Sequence, residues 1–216
     1  MSDEVWGKLN IDVHSAYQGI DDNPEDPNWI PRMKAQASAL NLLATQGVIP
    51  QDNPWVDWGA GDATLTKFTA EHGLDLKPYD KYISQPGFLT DEELTPGGFD
   101  LVISTSLLEH VMDLSVLDGM SDLVSSKGIL AVHTLVREEV PKDPSWFYLV
   151  PVHVSMFTNK SMQILFDRWG YASSIYHVPS RLWFFFRDPA VKVEEIAAQD
   201  PEAFFAKRGF MDYWKL

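Results

Sequence analysis

The sequence of 216 residues contains no cysteine and has few basic residues for its size. The missing cysteines exclude disulfide bonds, thiolate metal sites and thiol nucleophiles. The chain carries 17 Lys and Arg against 31 Asp and Glu, a formal net charge of −14. This charge disfavours a protein that grips nucleic acid through its phosphates. We expect a small-molecule partner and no nucleic acid.

Long apolar runs are also missing. No stretch approaches the roughly 18–20 consecutive apolar residues of a membrane span, and the acidic opening Met1–Lys8 lacks the features of a signal peptide. These two absences predict a soluble, cytoplasmic protein without a membrane partner. The chain is nevertheless 45% hydrophobic and 12% aromatic, which is enough to build the core of one domain.

Residues 1–30 differ from the rest of the chain. They are polar and hold two prolines and an acidic run, yet they also contain Trp6, Tyr17 and Trp29. A solvated tail would not need three large aromatic side chains. We therefore predict that residues 1–30 form an arm or lid on a single domain of residues 31–216, with a disordered tail as the alternative. His14 lies on this arm and could close over a site.

Strand and helix signals alternate along most of the remaining chain. They predict strands at 55–58, 74–79, 99–103 and 129–135, and helices at 31–47, 63–72, 107–111, 115–124 and 159–169. Strands at 171–177 and 182–187 follow without a helix between them, and a last helix runs from Asp200 to Gly209. This order predicts an α/β fold, with a Rossmann-like, doubly wound, mostly parallel sheet and a C-terminal antiparallel hairpin. The stretch between Asp80 and Phe99 is too short for a helix and another strand, so the sheet should be shortened around its third strand.

A glycine loop follows the first strand, in the sequence Asp57-Trp58-Gly59-Ala60-Gly61-Asp62-Ala63. Such a loop lets a ligand approach the backbone closely. Asp80 follows the second strand, where a carboxylate can bind both hydroxyls of a ribose. The dinucleotide pattern requires Gly or Ala where this chain has Thr64, and Asp57 would favour an ammonium group over a pyrophosphate. A ligand with one adenosine, an amino group and a sulfonium fits better than NAD.

At this loop the chain resembles the class I S-adenosylmethionine-dependent methyltransferases, whose first motif is an acidic residue followed by G-x-G-x-G. The stretch Phe99–Val111, which ends in Leu-Glu-His-Val, is similar to their fourth strand and its continuation. Gly128–Val132 is similar to their fifth strand. His153–Thr158 is similar to the segment that follows in small bacterial members acting on sugars and other small metabolites. The resemblance covers about Trp55 to Arg187.

This resemblance implies a methyltransferase with S-adenosylmethionine as its cofactor. It implies the following binding residues: Gly59, Ala60 and Gly61 around the methionine part, Asp57 near its amino group, Asp80 on the ribose, and Ser104 and Thr105 near the sulfonium. The adenine-binding acidic residue that many members carry has no clear counterpart here. The segment Leu89-Thr90-Asp91 is its only candidate.

Two histidines are candidates for a base that assists methyl transfer to a hydroxyl. His133 lies near the end of the strand at 129–135, and His153 lies in the aromatic connection that follows it. Both are expected near the carboxyl edge of the sheet, where ligands bind in such folds, and His153 is the preferred base. We interpret Glu109 and His110 as structural. Because no histidine–carboxylate group has the spacing of a metal site, we predict no metal.

One absent motif and a group of aromatic residues bear on the identity of the methyl acceptor. The D/N-P-P-Y motif of enzymes that methylate amino groups of DNA and some proteins is absent. Trp146, Phe147, Tyr148 and Trp183 could offer flat apolar surfaces to a sugar or an aromatic acceptor, or belong to the core. We predict methyl transfer to a small molecule, first of all to a sugar or glycan hydroxyl. The alternatives are a non-catalytic cofactor-binding domain that serves a partner enzyme, and a NAD-type oxidoreductase.

Overall fold

The structure is a computed structural model that describes residues 2–17 and 29–213. Its helices are α1 (Asp3–Tyr17), α2 (Trp29–Thr45), α3 (Thr64–Glu71), α4 (Leu114–Asp122), α5 (Asn159–Arg168) and α6 (Val193–Ala197). Its strands are β1 (Trp55–Trp58), β2 (Leu76–Tyr79), β3 (Phe99–Thr105), β4 (Val124–His133), β5 (Val136–Arg137), β6 (Phe157–Thr158), β7 (Ser173–His177), β8 (Leu182–Phe186) and β9 (Phe204–Arg208). The acidic run of the predicted arm and the side chain of His14 lie outside the described residues.

Within the described ranges, seven strands form one sheet in the order β2-β1-β3-β4-β8-β7-β9. The first four strands in this order, β2, β1, β3 and β4, are parallel to one another. β8 is antiparallel to β4, and β7 and β9 continue the antiparallel pairing. β5 and β6 form a separate two-stranded sheet. The predicted α/β fold, with a mostly parallel sheet and the antiparallel hairpin β7–β8, is confirmed.

Helices cover both faces of the sheet. Successive side chains of a strand point to opposite faces, so neighbouring residues of one strand belong to different halves of the core. In β3, Leu101 and Ile103 pack with α2, α3 and α6, whereas Val102 packs with α4 and α5 on the other face. The run Trp183–Phe186 alternates in the same way and is at most 2% exposed. These four aromatic residues are sheet core, so Trp183 is not available as a flat surface for an acceptor.

The sheet is shortened at the predicted place, and β2 is its edge strand. Between Asp80 and β3 the described chain has only one short 3-10 turn, Asp91–Glu93. This stretch lies along β2: the Leu89 N–H donates to the carbonyl of Pro78 over 2.8 Å, and the Tyr79 hydroxyl donates to Asp91 over 2.8 Å. Pro78 is tolerated because an edge strand needs fewer ladder hydrogen bonds.

The predicted last helix from Asp200 to Gly209 is wrong. A turn at 201–203 leads into strand β9, which pairs with β7 so that Phe204 lies opposite His177. The local signal Asp-Pro-Glu is typical of a helix start, but Phe204 gains more by burial in the core, where it is 3% exposed. The sheet therefore lacks a strand at one edge and has an additional strand at the other.

The first helix packs on the body of the protein near the end of β2. Trp6 of α1 is 5% exposed, and a Cβ on Gly7 would lie 2.6 Å from the Tyr82 ring. Tyr82 belongs to the segment that directly follows Asp80. Contact this close requires glycine at position 7. Across the described ranges, the helices are too short or too polar to cross a membrane.

Candidate active site

The predicted site residues meet at one edge of the sheet. The glycine loop follows β1, Asp80 follows β2, Ser104 and Thr105 end β3, and His133 ends β4. These four strands are parallel neighbours, so their carboxyl ends lie side by side. In open α/β sheets this edge forms the ligand-binding crevice.

The glycine loop adopts backbone conformations that favour glycine. Gly59 has φ +83° and Gly61 has φ +57°. A Cβ on Gly59 would lie 2.3 Å from the Leu107 side chain, whereas a Cβ on Gly61 would meet nothing within 4 Å. Gly59 is therefore required for packing against the segment after β3. Gly61 is the position where the loop presents an open backbone.

The amide groups of this loop are directed into the protein. The N–H groups of Gly59 and Ala60 both donate to the carbonyl of Tyr79, over 2.8 and 2.9 Å. The N–H of Gly61 donates to Oδ2 of Asp80 over 3.1 Å. These bonds fasten the loop to the end of β2. A ligand would thus contact the loop chiefly through its Cα and carbonyl side rather than through these three N–H groups.

Asp80 organises the segment that follows β2 as well as the glycine loop. Its Oδ1 accepts the N–H groups of Tyr82 and Ile83, over 2.8 and 3.1 Å, while Oδ2 accepts that of Gly61. Each carboxylate oxygen has two acceptor sites. Asp80 can therefore hold the loop and still accept a hydroxyl donor from a ligand.

Asp57 is a buried carboxyl group next to other acids. It is 2% exposed, and burial raises its pKa to about 7, with the negative charges of Asp80 and Asp62 adding to the effect and Thr66 opposing it. A buried carboxylate needs a partner that compensates for lost water. A cationic group bound beside Asp57 would supply that compensation.

The ends of β3 and β4 form a polar junction. Ser104 is fully buried and, within the described part of the chain, its hydroxyl has no hydrogen-bond partner. Thr105 lies opposite His133 in the parallel register. Ser106, at φ +54°, places its Oγ 3.3 Å from Nδ1 of His133 and accepts a hydrogen bond from Arg32 over 3.3 Å. Sequence reasoning missed Arg32 and Ser106, because neither belongs to a recognised motif.

His133 is kept neutral by its surroundings. It is 4% exposed, and burial, followed by the positive charges of Arg32 and Arg181, lowers its pKa well below the ordinary value of 6.5. A neutral imidazole can accept a proton, but a strongly lowered pKa makes it a weak base. The structure thus places His133 at the predicted edge in a buried position that a substrate reaches less easily than His153.

His153 meets two residues that we interpreted as structural. Glu109, His110 and His153, called the histidine–glutamate cluster from here on, bring one side-chain ligand atom each to within 4.8 Å of one another. The rings of His110 and His153 lie 4.7 Å apart, edge to face. Nδ1 of His153 lies 2.8 Å from the carbonyl of Tyr148. Because a carbonyl only accepts, Nδ1 carries the proton, and in the neutral ring the lone pair is therefore on Nε2.

This cluster lies beside the part of the sheet edge that carries the glycine loop and Asp80, called the cofactor half from here on. Leu107, which packs against Gly59, lies two residues before Glu109. The aromatic connection reaches the same region, where Trp146 and Tyr148 stand 5.4 Å apart and Phe147 is 37% exposed. The proximity of Glu109, His110 and His153 could not be read from the sequence, because the fold brings together two distant segments.

A sequence profile of a family described as "Methyltransferase domain" matches residues 32–173. A search of curated proteins by sequence gives no match. Among solved structures, the chain is similar to 1,6-didemethyltoxoflavin-N1-methyltransferase of Burkholderia thailandensis, solved with 1,6-didemethyltoxoflavin and S-adenosylhomocysteine. The TM-score is 0.50 and the identity 16%, over 83% of this chain and 87% of that one.

It is also similar to an O-methyltransferase family protein of Burkholderia thailandensis, with a TM-score of 0.51 and 13% identity over 72% of this chain and 57% of that one. At these identities the structural likeness concerns the fold. The family match itself spans well over half of the chain. The chain therefore belongs to the methyltransferase-domain family and is a class I S-adenosylmethionine-dependent methyltransferase.

Proposed function

We propose that the chain transfers a methyl group from S-adenosylmethionine to a hydroxyl of a small molecule, most simply a sugar or glycan. The observation that carries this proposal is the arrangement of one sheet edge. A buried carboxyl group and an open glycine loop occupy one half, and the half-buried ring of His153 lies in the other half. The two halves touch where Leu107 packs on Gly59.

The residues of the first half fit the cofactor. Asp57 is buried without a cation among the described residues, and the α-ammonium group of the methionine part would supply one. Gly61 has room for a ligand where a side chain would otherwise project. Asp80 keeps one acceptor site, on Oδ2, for a ribose hydroxyl. Ser104 and Thr105 end the central strand of the edge, next to the position that the sulfonium would take.

The second half fits a neutral hydroxyl acceptor. In the neutral ring of His153 the lone pair is on Nε2, because Nδ1 donates to the Tyr148 carbonyl. The exposed ring of Phe147, which stands edge to face with Trp146, offers an apolar surface of the kind that a sugar ring packs against. The formal charge of −14 argues against a polyanionic acceptor, because such a substrate would be repelled at long range.

Methyl transfer from a sulfonium requires few catalytic groups from the protein. When bound, S-adenosylmethionine supplies a methyl group on a sulfonium sulfur, which leaves as a neutral thioether when the acceptor oxygen forms its bond to the methyl carbon. The chain orients the hydroxyl in line with that bond and excludes water. Nε2 of His153 accepts the proton that the hydroxyl loses. Its bond to Tyr148 restricts the ring and selects this nitrogen as the acceptor.

An acceptor screen tests the proposal. The purified protein is incubated with S-adenosylmethionine and a panel of sugars, phenols and amines. Release of S-adenosylhomocysteine is measured, and mass spectrometry locates the new methyl group. We expect methylation on oxygen, with turnover lowered in His153→Ala by the roughly 10²–10⁴-fold that a general base contributes.

The matched control is His72→Ala, because His72 is exposed at the end of α3 and should keep full turnover. Binding of S-adenosylhomocysteine should be unchanged in both variants. Methylation on nitrogen would contradict the proposed acceptor. Full turnover by His153→Ala would remove that residue from the reaction.

A further inference from the structure

We propose that the histidine–glutamate cluster, Glu109, His110 and His153, binds one divalent transition-metal ion. The sequence suggested no metal because Glu109 and His110 are adjacent and His153 lies far along the chain. The fold removes that objection. One ligand atom from each residue lies within 4.8 Å of the others. Two donors bound to one ion at about 2.1 Å stand roughly 3–4 Å apart, so small side-chain rotations complete the site.

The backbone holds the two segments of the cluster together. The carbonyl of Glu109 accepts the N–H groups of Val154 and Ser155, over 2.9 and 3.1 Å. The hydroxyl of Ser155 donates to the carbonyl of Val111 over 2.9 Å. These three bonds fix the two residues after His153 against the turn that carries Glu109 and His110. The closeness of the ligand atoms is therefore built into the fold.

The outer contacts orient the ligands as in known metal sites. A ligating histidine usually donates its second ring N–H to a carbonyl or carboxylate, which fixes the tautomer. His153 does so through Nδ1, which leaves Nε2 for the ion. Oε2 of Glu109 accepts the Thr134 hydroxyl over 2.8 Å. Glu109 is 2% exposed, so a bound cation would compensate its carboxylate for contact with water that burial removes.

The donor set indicates the kind of ion. Two imidazoles and one carboxylate suit zinc, manganese, cobalt or ferrous iron better than magnesium or calcium, which prefer all-oxygen sites. Three protein ligands leave coordination positions open, as in catalytic rather than structural sites. His153 is only half-buried, so an exchangeable oxygen ligand can reach the ion from the acceptor side.

The ion would give the proposed reaction a second means of activating the acceptor. A hydroxyl bound to a divalent ion loses its proton to water more easily, and His153 would then hold the ion instead of taking that proton. Only the identity of this oxygen ligand rests on the proposed function. Metal binding itself depends on the three side chains alone.

Cobalt(II) is the probe for the experiment, because its visible d–d absorption reports the ligand set. The full chain is freed of metal with EDTA and titrated with Co²⁺. We expect one ion per chain, displacement by Zn²⁺, and a higher melting temperature in the presence of the ion. His153→Gln and Glu109→Gln should each weaken the binding by roughly tenfold or more, while His72→Gln should not change it.

Folding of each variant is checked by its far-ultraviolet circular dichroism spectrum. His153→Gln keeps the test decisive if the buried Glu109→Gln fails to fold. Absence of Co²⁺ binding by the wild-type chain, or unchanged binding by His153→Gln, would overturn the metal site. Either result leaves the methyl-transfer proposal standing, because the acceptor screen is scored separately.

Discussion

Replacing Asp57 by asparagine should stabilise the ligand-free protein while weakening the cofactor site. Asp57 is buried at the end of β1, and burial raises the pKa of its carboxyl group from 3.8 to about 7, with Asp80 and Asp62 adding to the effect. Asparagine has nearly the same shape and no charge. The variant thus removes the buried ionisation and leaves the packing of β1 almost unchanged.

The expected size of the effect follows from the two pKa values. Because the folded pKa is higher, the folded chain binds a proton more tightly than the unfolded chain between pH 3.8 and about 7. The Asp57 contribution to the free energy of unfolding is therefore greatest below this window, decreases as the pH rises through it, and is lowest above it. The difference between the two pKa values corresponds to roughly 4 kcal/mol.

Urea unfolding near pH 4 and near pH 8 measures this effect for the wild type and Asp57→Asn. We expect the free energies of unfolding to agree within about 1 kcal/mol near pH 4, and the variant to be more stable by up to roughly 4 kcal/mol near pH 8. Comparing the variant with the wild type cancels the titration of the groups that do not interact with Asp57. The control is Asp75→Asn, because Asp75 is exposed and pairs with Lys77 at the surface.

Asp75→Asn should shift the free energy of unfolding by less than about 1 kcal/mol at either pH. If Asp57→Asn shows the same small shift near pH 8 as near pH 4, Asp57 is not held in an unfavourable ionised state. The reasoning that assigns it to an ammonium group would then be refuted. A stabilised variant that binds S-adenosylmethionine as well as the wild type would contradict the same assignment.

Three further predictions concern the same edge. Asp80→Ala should weaken S-adenosylmethionine binding in calorimetry by roughly 1–3 kcal/mol, because it removes the acceptor for a ribose hydroxyl and the partner of the Gly61 N–H. Unchanged affinity would place the ribose elsewhere. Gly59→Ala should lower the free energy of unfolding by about 1–3 kcal/mol, because φ is +83° at this position and the new Cβ would clash with Leu107. Adding Leu107→Ala should remove the clash but not the backbone strain, so stability should be recovered only in part. Full recovery would show that backbone strain is negligible. His133→Gln should reduce the decrease in the free energy of unfolding when the pH falls below about 6.5. The pKa of His133 is lowered in the folded chain, so the unfolded chain binds the proton first. An unaltered dependence of the free energy of unfolding on pH would mean that His133 titrates normally.

Much of the cofactor half could be predicted because its signals are local. The loop at 57–63 lies between a strand and a helix, and the chain after Asp80 is visibly short. Strand β3 is an uninterrupted apolar run that is buried on both faces, as parallel strands are. The family resemblance then ordered these elements around one edge. The direction of the loop amides toward Tyr79 and Asp80 depends on how β2 pairs with β1, which no local pattern reveals.

The remaining features depend on contacts between distant segments. Strand β9 forms because Phe204 pairs with β7 and is buried, although Asp200-Pro201-Glu202 reads as the start of a helix. The histidine–glutamate cluster arises because the backbone of Val154 and Ser155 bonds to Glu109. Such pairings override local propensity. They explain why Glu109 and His110 read as structural residues in the sequence but face His153 in the fold.

Calorimetric titration of the wild-type chain with S-adenosylmethionine, S-adenosylhomocysteine and NAD in parallel shows whether this sheet edge binds the methyl donor. We expect micromolar binding of both adenosyl compounds, about −8 kcal/mol, no heat with NAD, and a clear loss of affinity in Asp57→Asn. Binding of NAD in place of the adenosyl compounds, or no binding of any of the three, would contradict the assignment of this sheet edge as the cofactor site.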